Sequence, residues 1–187
     1  MVNLPEQHVR EYARACLRAG LMSPEELRAE VVAAIIADVP DLAGDADSLA
    51  RAWLQEAREE LGRDESGWPQ PTDYERLQSA FAELGDADVV VLQGCEDHWA
   101  AKAVLDARTG EGARPRGIAW FTPPDVWHAV DEGMLEVNLW HGSTANAAPG
   151  DDLLHDVLAT LKRHGLEAHF DEGRIEVAAH WHRRDVP

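Results

Sequence analysis

The sequence has few cysteines and no long apolar run, and both absences exclude classes of protein. Only Cys16 and Cys95 occur among 187 residues, which excludes a small disulfide-bonded scaffold and predicts a reducing compartment. The longest apolar run, at residues 31–36, is far shorter than the roughly 20 residues that cross a bilayer. The chain also opens without the basic and apolar segments of a signal peptide. We therefore expect a soluble, cytoplasmic protein.

Basic residues are scarce relative to acidic ones. There are 17 lysines and arginines against 35 aspartates and glutamates, which gives a net charge of −18. A field of this sign repels phosphate backbones and anionic lipids, so we expect no nucleic-acid partner and no membrane partner. The charge is compatible with an ordinary soluble surface or with a basic protein partner. Imitation of nucleic acid by an acidic inhibitor is a further interpretation.

Familiar catalytic and nucleotide-binding motifs are also missing. The chain contains no Gly-x-Gly-x-x-Gly, no Walker A loop and no Gly-x-Ser-x-Gly elbow. It likewise contains no Cys-x-x-Cys and no His-Glu-x-x-His spacing. These absences argue against nucleotide binding through a familiar loop and against α/β-hydrolase chemistry.

What is present predicts a helical region followed by alternating helices and strands. Apolar residues recur at helical spacing through residues 1–62, and Ser23 and Thr72 each begin a capping box. The polar segment 63–71, with one glycine and two prolines, predicts a linker. Residues 72–187 predict the order α-β-α-β-α-β-α-β-β. The fold class is therefore α/β (α+β): an N-terminal helical region, then a mixed sheet of about five strands with packed helices and a C-terminal antiparallel hairpin.

Two strand predictions and one helix prediction are specific enough to test. The apolar run at residues 89–92 predicts a strand that is buried on both faces. The simplest pairing of the terminal hairpin places Phe170 opposite Ile175, and therefore His169 opposite Glu176. The helix expected at residues 97–107 has three apolar side chains that we expect to point inward: Trp99, Ala103 and Val104.

Short motifs in the second part of the chain carry a family resemblance. The segment from Trp68 to Leu77 reads Trp-Pro-x-x-Thr-Asp-x-x-Arg-Leu, with Phe81 behind it. Gly117 leads a short aromatic strand, and Asp125 follows. These pieces resemble a family of uncharacterised actinobacterial proteins that is catalogued as a domain of unknown function. The resemblance spans residues 66–180 and implies an actinobacterial source and a shared α/β fold, without a known activity. The three residues before Asp125 depart from the His-x-Gln of that family.

Cys95 and His98 are the candidate catalytic residues. A thiol that follows a buried strand and a glycine turn would lie near a helix N-terminus, where backbone N–H groups and the helix dipole stabilise a thiolate. His98 could then act as its base. Glu96 and Asp97 oppose a thiolate, and cysteine is also an ordinary core residue. We therefore assign no catalytic residue on this pattern.

His180 and His182 are the candidate metal ligands. On a strand, residues i and i+2 share a face, so two imidazoles could bind one divalent ion. His169, Glu176 or His141 could supply a third ligand. The predicted hairpin register instead places His180 and His182 on a solvated polar face, opposite the core. We expect no cofactor, with a divalent metal as the alternative.

Trp120, Trp140 and His141 are the candidate binding residues. Four tryptophans could all be core residues: Trp99, Trp120, Trp127 and Trp140. One of them exposed on the acidic surface would be a hot spot for a basic partner. His141 ends a predicted strand beside a loop of small residues, where α/β folds place ligands. The leading hypothesis is a noncatalytic binding or regulatory module, an adaptor or immunity-type inhibitor that recognises a protein partner. The alternative is a small enzyme that uses the Cys–His pair or a histidine metal site, and the oligomeric state is left open.

Overall fold

The computed structural model describes residues 4–184, and these residues form two compact units. We call residues 4–69 with 182–184 the helical unit and residues 70–181 the sheet unit. The helices are α1 (Leu4–Ala19), α2 (Pro24–Asp38), α3 (Ala46–Glu65), α4 (Asp73–Asp86), α5 (His98–Gly110), α6 (Pro123–Asp131) and α7 (Asp152–Arg163). The strands are β1 (Val89–Leu92), β2 (Gly117–Trp120), β3 (Met134–His141), β4 (Glu167–Asp171) and β5 (Arg174–Ala178). In the part of the chain that the structure describes, no helix is long and apolar enough to cross a membrane.

The helical unit is a bundle of α1, α2 and α3. Each helix buries one apolar stripe against the other two, and the stripes meet at the buried side chains of Ala13, Val31, Ile35, Ala50 and Trp53. The capping box predicted at Ser23 is present, with the Glu26 N–H donating to the Ser23 hydroxyl at 3.2 Å. Helix α3 continues through Glu65, so the segment predicted as a linker begins with three helical residues.

A ladder of ion pairs shows that α1 and α3 run parallel. Three arginines one helical turn apart on α1 bind three carboxylates one turn apart on α3: Arg10 with Glu56, Arg14 with Glu60 and Arg18 with Asp64. Every pair joins residues 46 positions apart, which requires the two helices to point the same way. The Arg10 guanidinium also lies 4.6 Å from the centre of the Trp53 ring.

The sheet unit is a mixed five-stranded sheet in the order β1-β2-β3-β5-β4. Strands β1 and β2 are parallel, joined by α5, and the other neighbours are antiparallel. This confirms the predicted α+β class. Because side chains alternate along a strand, Gly117 faces Leu153 of α7, whereas Ile118 and Trp120 pack with Leu105 of α5. Helix α7 therefore covers one face of the sheet and α5 covers part of the other.

The hairpin prediction is confirmed, and the β1 prediction needs correction. Phe170 pairs with Ile175, and His169 pairs with Glu176, as the two-residue turn requires. Strand β1 occupies residues 89–92, but it lies at an edge of the sheet, and three of its four residues are only half-buried. The apolar run still reflects coverage by helices, since α4 packs against the strand and α5 covers Val90 and Leu92.

Candidate functional site

Cys95 is a buried core residue in the turn between β1 and α5. Its side chain is 7% exposed, and it packs with Ala101, Leu105, Ile118 and Trp120. The backbone N–H of Cys95 donates to the Phe121 carbonyl at 2.9 Å, and its thiol donates to the Asp97 carbonyl at 3.6 Å. Burial raises the pKa of the Cys95 thiol, and the carboxylates of Asp97 and Asp125 raise it further. The thiol is therefore held in its protonated, unreactive form.

His98 is directed to its neighbour Trp99 rather than to the thiol. The His98 and Trp99 ring centroids are 4.7 Å apart with the planes tilted by 40°. The hydrogen bond of the Cys95 thiol goes to Asp97, and among the described residues none joins Cys95 to His98. The Cys–His arrangement considered as a nucleophile and its base is thus not assembled in this structure.

Of the three candidate binding residues, Trp120 and Trp140 lie on one face of the sheet and His141 lies on the other. The rings of Trp120 and Trp140 meet edge to face, 5.1 Å apart, and both pack against the α5 core. The indole N–H of Trp120 is buried, without a hydrogen-bond partner among the described residues. His141 faces the other way, next to Asp151, because side chains alternate along β3.

His141 and Asp151 form a polar pair where the loop after β3 enters α7. The His141 Nε2 atom lies 2.8 Å from the Asp151 carboxylate, which also accepts the Ala148 N–H at 2.8 Å. The bond from His141, followed by the bond from Ala148, lowers the pKa of Asp151. Both side chains of the pair are one-third exposed. The pair closes the small-residue loop against the first turn of α7.

The strand that was expected to align His180 with His182 ends before both of them. Strand β5 stops at Ala178, so its alternation does not extend to these histidines. In the sheet unit, the backbone N–H of His180 donates to the Asp73 carboxylate at 3.2 Å. In the helical unit, the His182 ring stacks on Trp68 at a centroid distance of 4.5 Å.

His169, the proposed third metal ligand, is an exposed residue of β4. Its Nε2 atom lies 3.3 Å from the carboxylate of Glu176, the residue opposite it on β5. Residues 4–184 contain no group of three or more His, Cys, Asp or Glu side chains placed to hold a metal ion. The geometry of the described residues therefore does not favour a metal centre at these histidines.

Trp99 is the feature that sequence analysis assigned to the wrong side of its helix. Helix α5 buries Ala101 and Leu105, with Val104 half-buried, whereas Trp99 is 65% exposed and Ala103 is also exposed. The buried residues Ala101 and Leu105 lie one helical turn apart, but apolar residues also fall on the other sides of this helix. The prediction that Trp99 and Ala103 point inward is therefore wrong, whereas Val104 packs against the core as expected.

The exposed side of α5 forms a surface that we call the Trp99 surface. It consists of Trp99 with Ala103 and Ala107, one helical turn apart, and the exposed carboxylates of Glu96 and Asp97 at the helix start. Asp97 caps the helix by accepting the Ala100 N–H at 2.9 Å. Ala103 and Ala107 add only small, exposed methyl groups to the side of α5 that carries the indole.

Fold and site together define an α+β protein whose sheet unit presents an exposed indole beside carboxylates. The chain belongs to the family described as "Domain of unknown function (DUF6891)", whose model matches residues 3–185. This confirms the expected membership in a family of unknown function. No curated protein and no solved structure matches the chain.

Proposed function

We propose that this protein is a noncatalytic binding module that recognises a basic protein partner through the Trp99 surface. The observation that carries the proposal is the 65% exposure of Trp99. By contrast, Trp53, Trp120 and Trp181 are between 3% and 7% exposed, so the fold buries these indoles efficiently. Tryptophan is enriched among the residues that dominate interface energies, and a large exposed indole next to small residues suits that role.

The charge around Trp99 supports a basic partner. Glu96 and Asp97 are exposed acidic residues three and two positions before Trp99, and Lys102, the nearest cation on α5 in sequence, is paired with Asp106. An arginine or lysine of a partner could therefore contact the carboxylates and the face of the indole together. The net charge of −18 would add long-range attraction for such a partner and speed its association.

The burial of Cys95 and the placement of the histidines favour this binding role over the small-enzyme alternative. A nucleophilic cysteine needs an accessible thiolate, whereas the Cys95 thiol is enclosed and its pKa is raised. Such a module would act as an adaptor or an immunity-type inhibitor in the cytoplasm, and the family resemblance implies an actinobacterial source.

Photo-crosslinking in the cells that produce the protein tests the proposal directly. A photoreactive phenylalanine analogue at position 99 should form one dominant adduct with a basic polypeptide, because the side chain there lies in the interface. The matched control carries the analogue at position 36, since Ile36 is also exposed (51%) but lies in the helical unit. Absence of an adduct at position 99, or an equal yield at both positions, would contradict the proposal.

A Trp99→Ala variant separates binding from folding. The immobilised variant should lose the crosslinked polypeptide from a lysate of the same cells, whereas Ile36→Ala should retain it. Because Trp99 is mostly exposed, the melting temperature of the Trp99→Ala variant should stay within about 2 °C of that of the wild type. Capture at the wild-type level by Trp99→Ala would show that the indole is not the hot spot.

A further inference from the structure

Strand β4 is an edge of the sheet whose outer side has no strand partner among the described residues. The hairpin that carries it has a two-residue turn, with Asp171 opposite Arg174. Both turn residues have positive φ, 42° at Glu172 and 95° at Gly173, as a type I′ turn requires. In such a hairpin the residues that flank the turn form a hydrogen-bonded pair, and the pairs alternate from there along the strand.

This alternation fixes which backbone groups of β4 face outward. His169 and Glu167 occupy the next hydrogen-bonded positions and use their N–H and C=O groups toward β5. Ala168 and Phe170 occupy the non-hydrogen-bonded positions, so their N–H and C=O groups point to the open edge. An open row of this kind is the template on which an extended peptide adds as a further strand.

An apolar groove accompanies this edge. Two adjoining hollows of about 630 Å³ and 530 Å³ lie between α7 and β4, and they share His155 and Leu158. The charged residues along the groove are Lys162, Glu167, Asp151 and Asp152. The apolar wall consists of Leu154, Leu158 and Ala159 from α7, Leu166 before β4, and Ala168 and Phe170 on it. A strand paired with β4 would place every second side chain in this groove.

The opposite side of β4 is acidic, which determines the kind of strand that fits. Glu167, Asp171 and the half-buried Glu176 of β5 carry carboxylates at the alternate positions, with His169 between them. Glu167 also borders the groove, and Arg174, which is bound to Glu136, lies opposite Asp171. A second copy of this chain, paired antiparallel about His169, would set Glu167 against Asp171 of the copy. Like charges directly opposite each other destabilise a pair, so this edge disfavours self-association. A strand with lysine or arginine at alternate positions would instead meet opposite charges.

We infer that β4 accepts an extended segment of a basic protein as a sixth strand of the sheet. The segment has apolar residues that enter the groove beside α7 and basic residues that face Glu167 and Asp171. The inference rests on the proposed function, since it takes the partner to be a basic protein, and it adds a second contact surface. Main-chain hydrogen bonds to Ala168 and Phe170 supply affinity, and the alternating side chains supply specificity.

A synthetic peptide of alternating lysine and valine, nine residues long, is the probe, used with the full-length chain. We expect it to slow hydrogen exchange of the Ala168 and Phe170 amides while other exposed amides keep their rates. Two matched peptides carry N-methyl groups, one on the valines and one on the lysines. Valines facing the groove lie opposite Ala168 and Phe170, so N-methyl-valine should weaken binding roughly tenfold or more, and N-methyl-lysine much less.

Variants of the protein complete the test. Ala168→Pro removes an outward N–H without touching the β5 ladder, so it should block the peptide and leave the fold intact. If that variant fails to fold, Glu167→Lys tests peptide binding at β4 instead, because the Glu167 side chain is exposed and its replacement should leave the fold intact. It should weaken binding roughly three- to tenfold, whereas the equal charge change Glu111→Lys, away from β4, should not.

The outcomes separate this inference from the proposed function. Binding of the lysine–valine peptide without protection of Ala168 and Phe170, or undiminished binding of the N-methyl-valine peptide, would overturn strand addition. Recognition of basic chains would survive in that case. No binding at all would also overturn strand addition, while crosslinking at Trp99 would still decide the proposed function separately.

Discussion

Replacing Gly117 by alanine tests how β2 is packed between its neighbours. A Cβ atom at position 117 would lie 2.3 Å from the backbone oxygen of Trp140 and 2.7 Å from Cδ2 of Leu153. Ordinary van der Waals contact begins at 3.4 Å, so the two strands would have to separate by about 1 Å. The nearest atom belongs to the backbone of β3 and cannot rotate away. The sheet itself must therefore deform.

The expected cost of Gly117→Ala is about 3 kcal/mol of unfolding free energy. Overpacking a core costs roughly 1–3 kcal/mol, and a clash with a paired backbone belongs at the upper end of that range. For a chain of this length each kcal/mol lowers the melting temperature by about 2–4 °C, so a decrease of about 6–12 °C is expected. Urea unfolding followed by circular dichroism gives the free energy directly.

The same substitution at Gly85 is the matched control. Gly85 lies in the last turn of α4, and no atom lies within 4 Å of a Cβ added there. Alanine should stabilise that helical position by about 0.5–1 kcal/mol, because glycine loses more backbone entropy on folding. The two variants should therefore shift stability in opposite directions. Equal stabilities would refute the close packing of Gly117 against β3 and Leu153 of α7.

Three further perturbations have definite expected results. Neither Cys16 nor Cys95 should react with a thiol reagent at pH 8 until the protein is unfolded, because burial raises the pKa of both thiols. Fast labelling of the native protein would contradict this expectation. His141 holds the pKa of Asp151 below its ordinary value of 3.8. The ionised Asp151 therefore contributes its full stabilisation of the folded protein above pH 3.8, and this contribution is lost as the pH falls through the lowered pKa. The stability difference between wild type and Asp151→Asn, measured by urea unfolding, should accordingly narrow below pH 3.8, and a constant difference would refute the coupling. Replacing Ser23 by alanine should cost about 1 kcal/mol by removing the N-cap of α2, and an unchanged urea midpoint would show that the capping box adds no stability.

Local patterns in the sequence were sufficient to predict the order of the helices and strands and the register of the β4–β5 hairpin. The turn at Glu172 and Gly173 fixes how β4 meets β5, so the pairing of Phe170 with Ile175 follows from adjacent residues. The position of β1 at a sheet edge could not be predicted in the same way. An apolar run shows that a strand is covered on both faces, but the number of strands beside it depends on residues far away in the chain.

The candidate site could be predicted less well because the apolar residues of α5 are distributed over several sides of the helix. The segment from His98 to Leu105 has apolar side chains on several sides, so periodicity does not define one inward face. The burial of Cys95 depends on Ile118 and Trp120, which arrive from β2. The hypothesis for His180 and His182 required strand alternation to continue beyond residue 178, whereas the strand ends there.

The distribution of charge favours the sheet unit as the part that would meet the basic partner we propose. Residues 70–181 carry 20 acidic and 8 basic side chains, a net of −12 out of −18 for the whole chain. In the helical unit, the α3 carboxylates of Glu56, Glu60 and Asp64 are already bound by the arginines of α1. An approaching cation gains less from a carboxylate that has an arginine beside it, because the two fields largely cancel. The attraction for a basic chain is therefore concentrated on the unit that also carries the Trp99 surface and the open edge of β4.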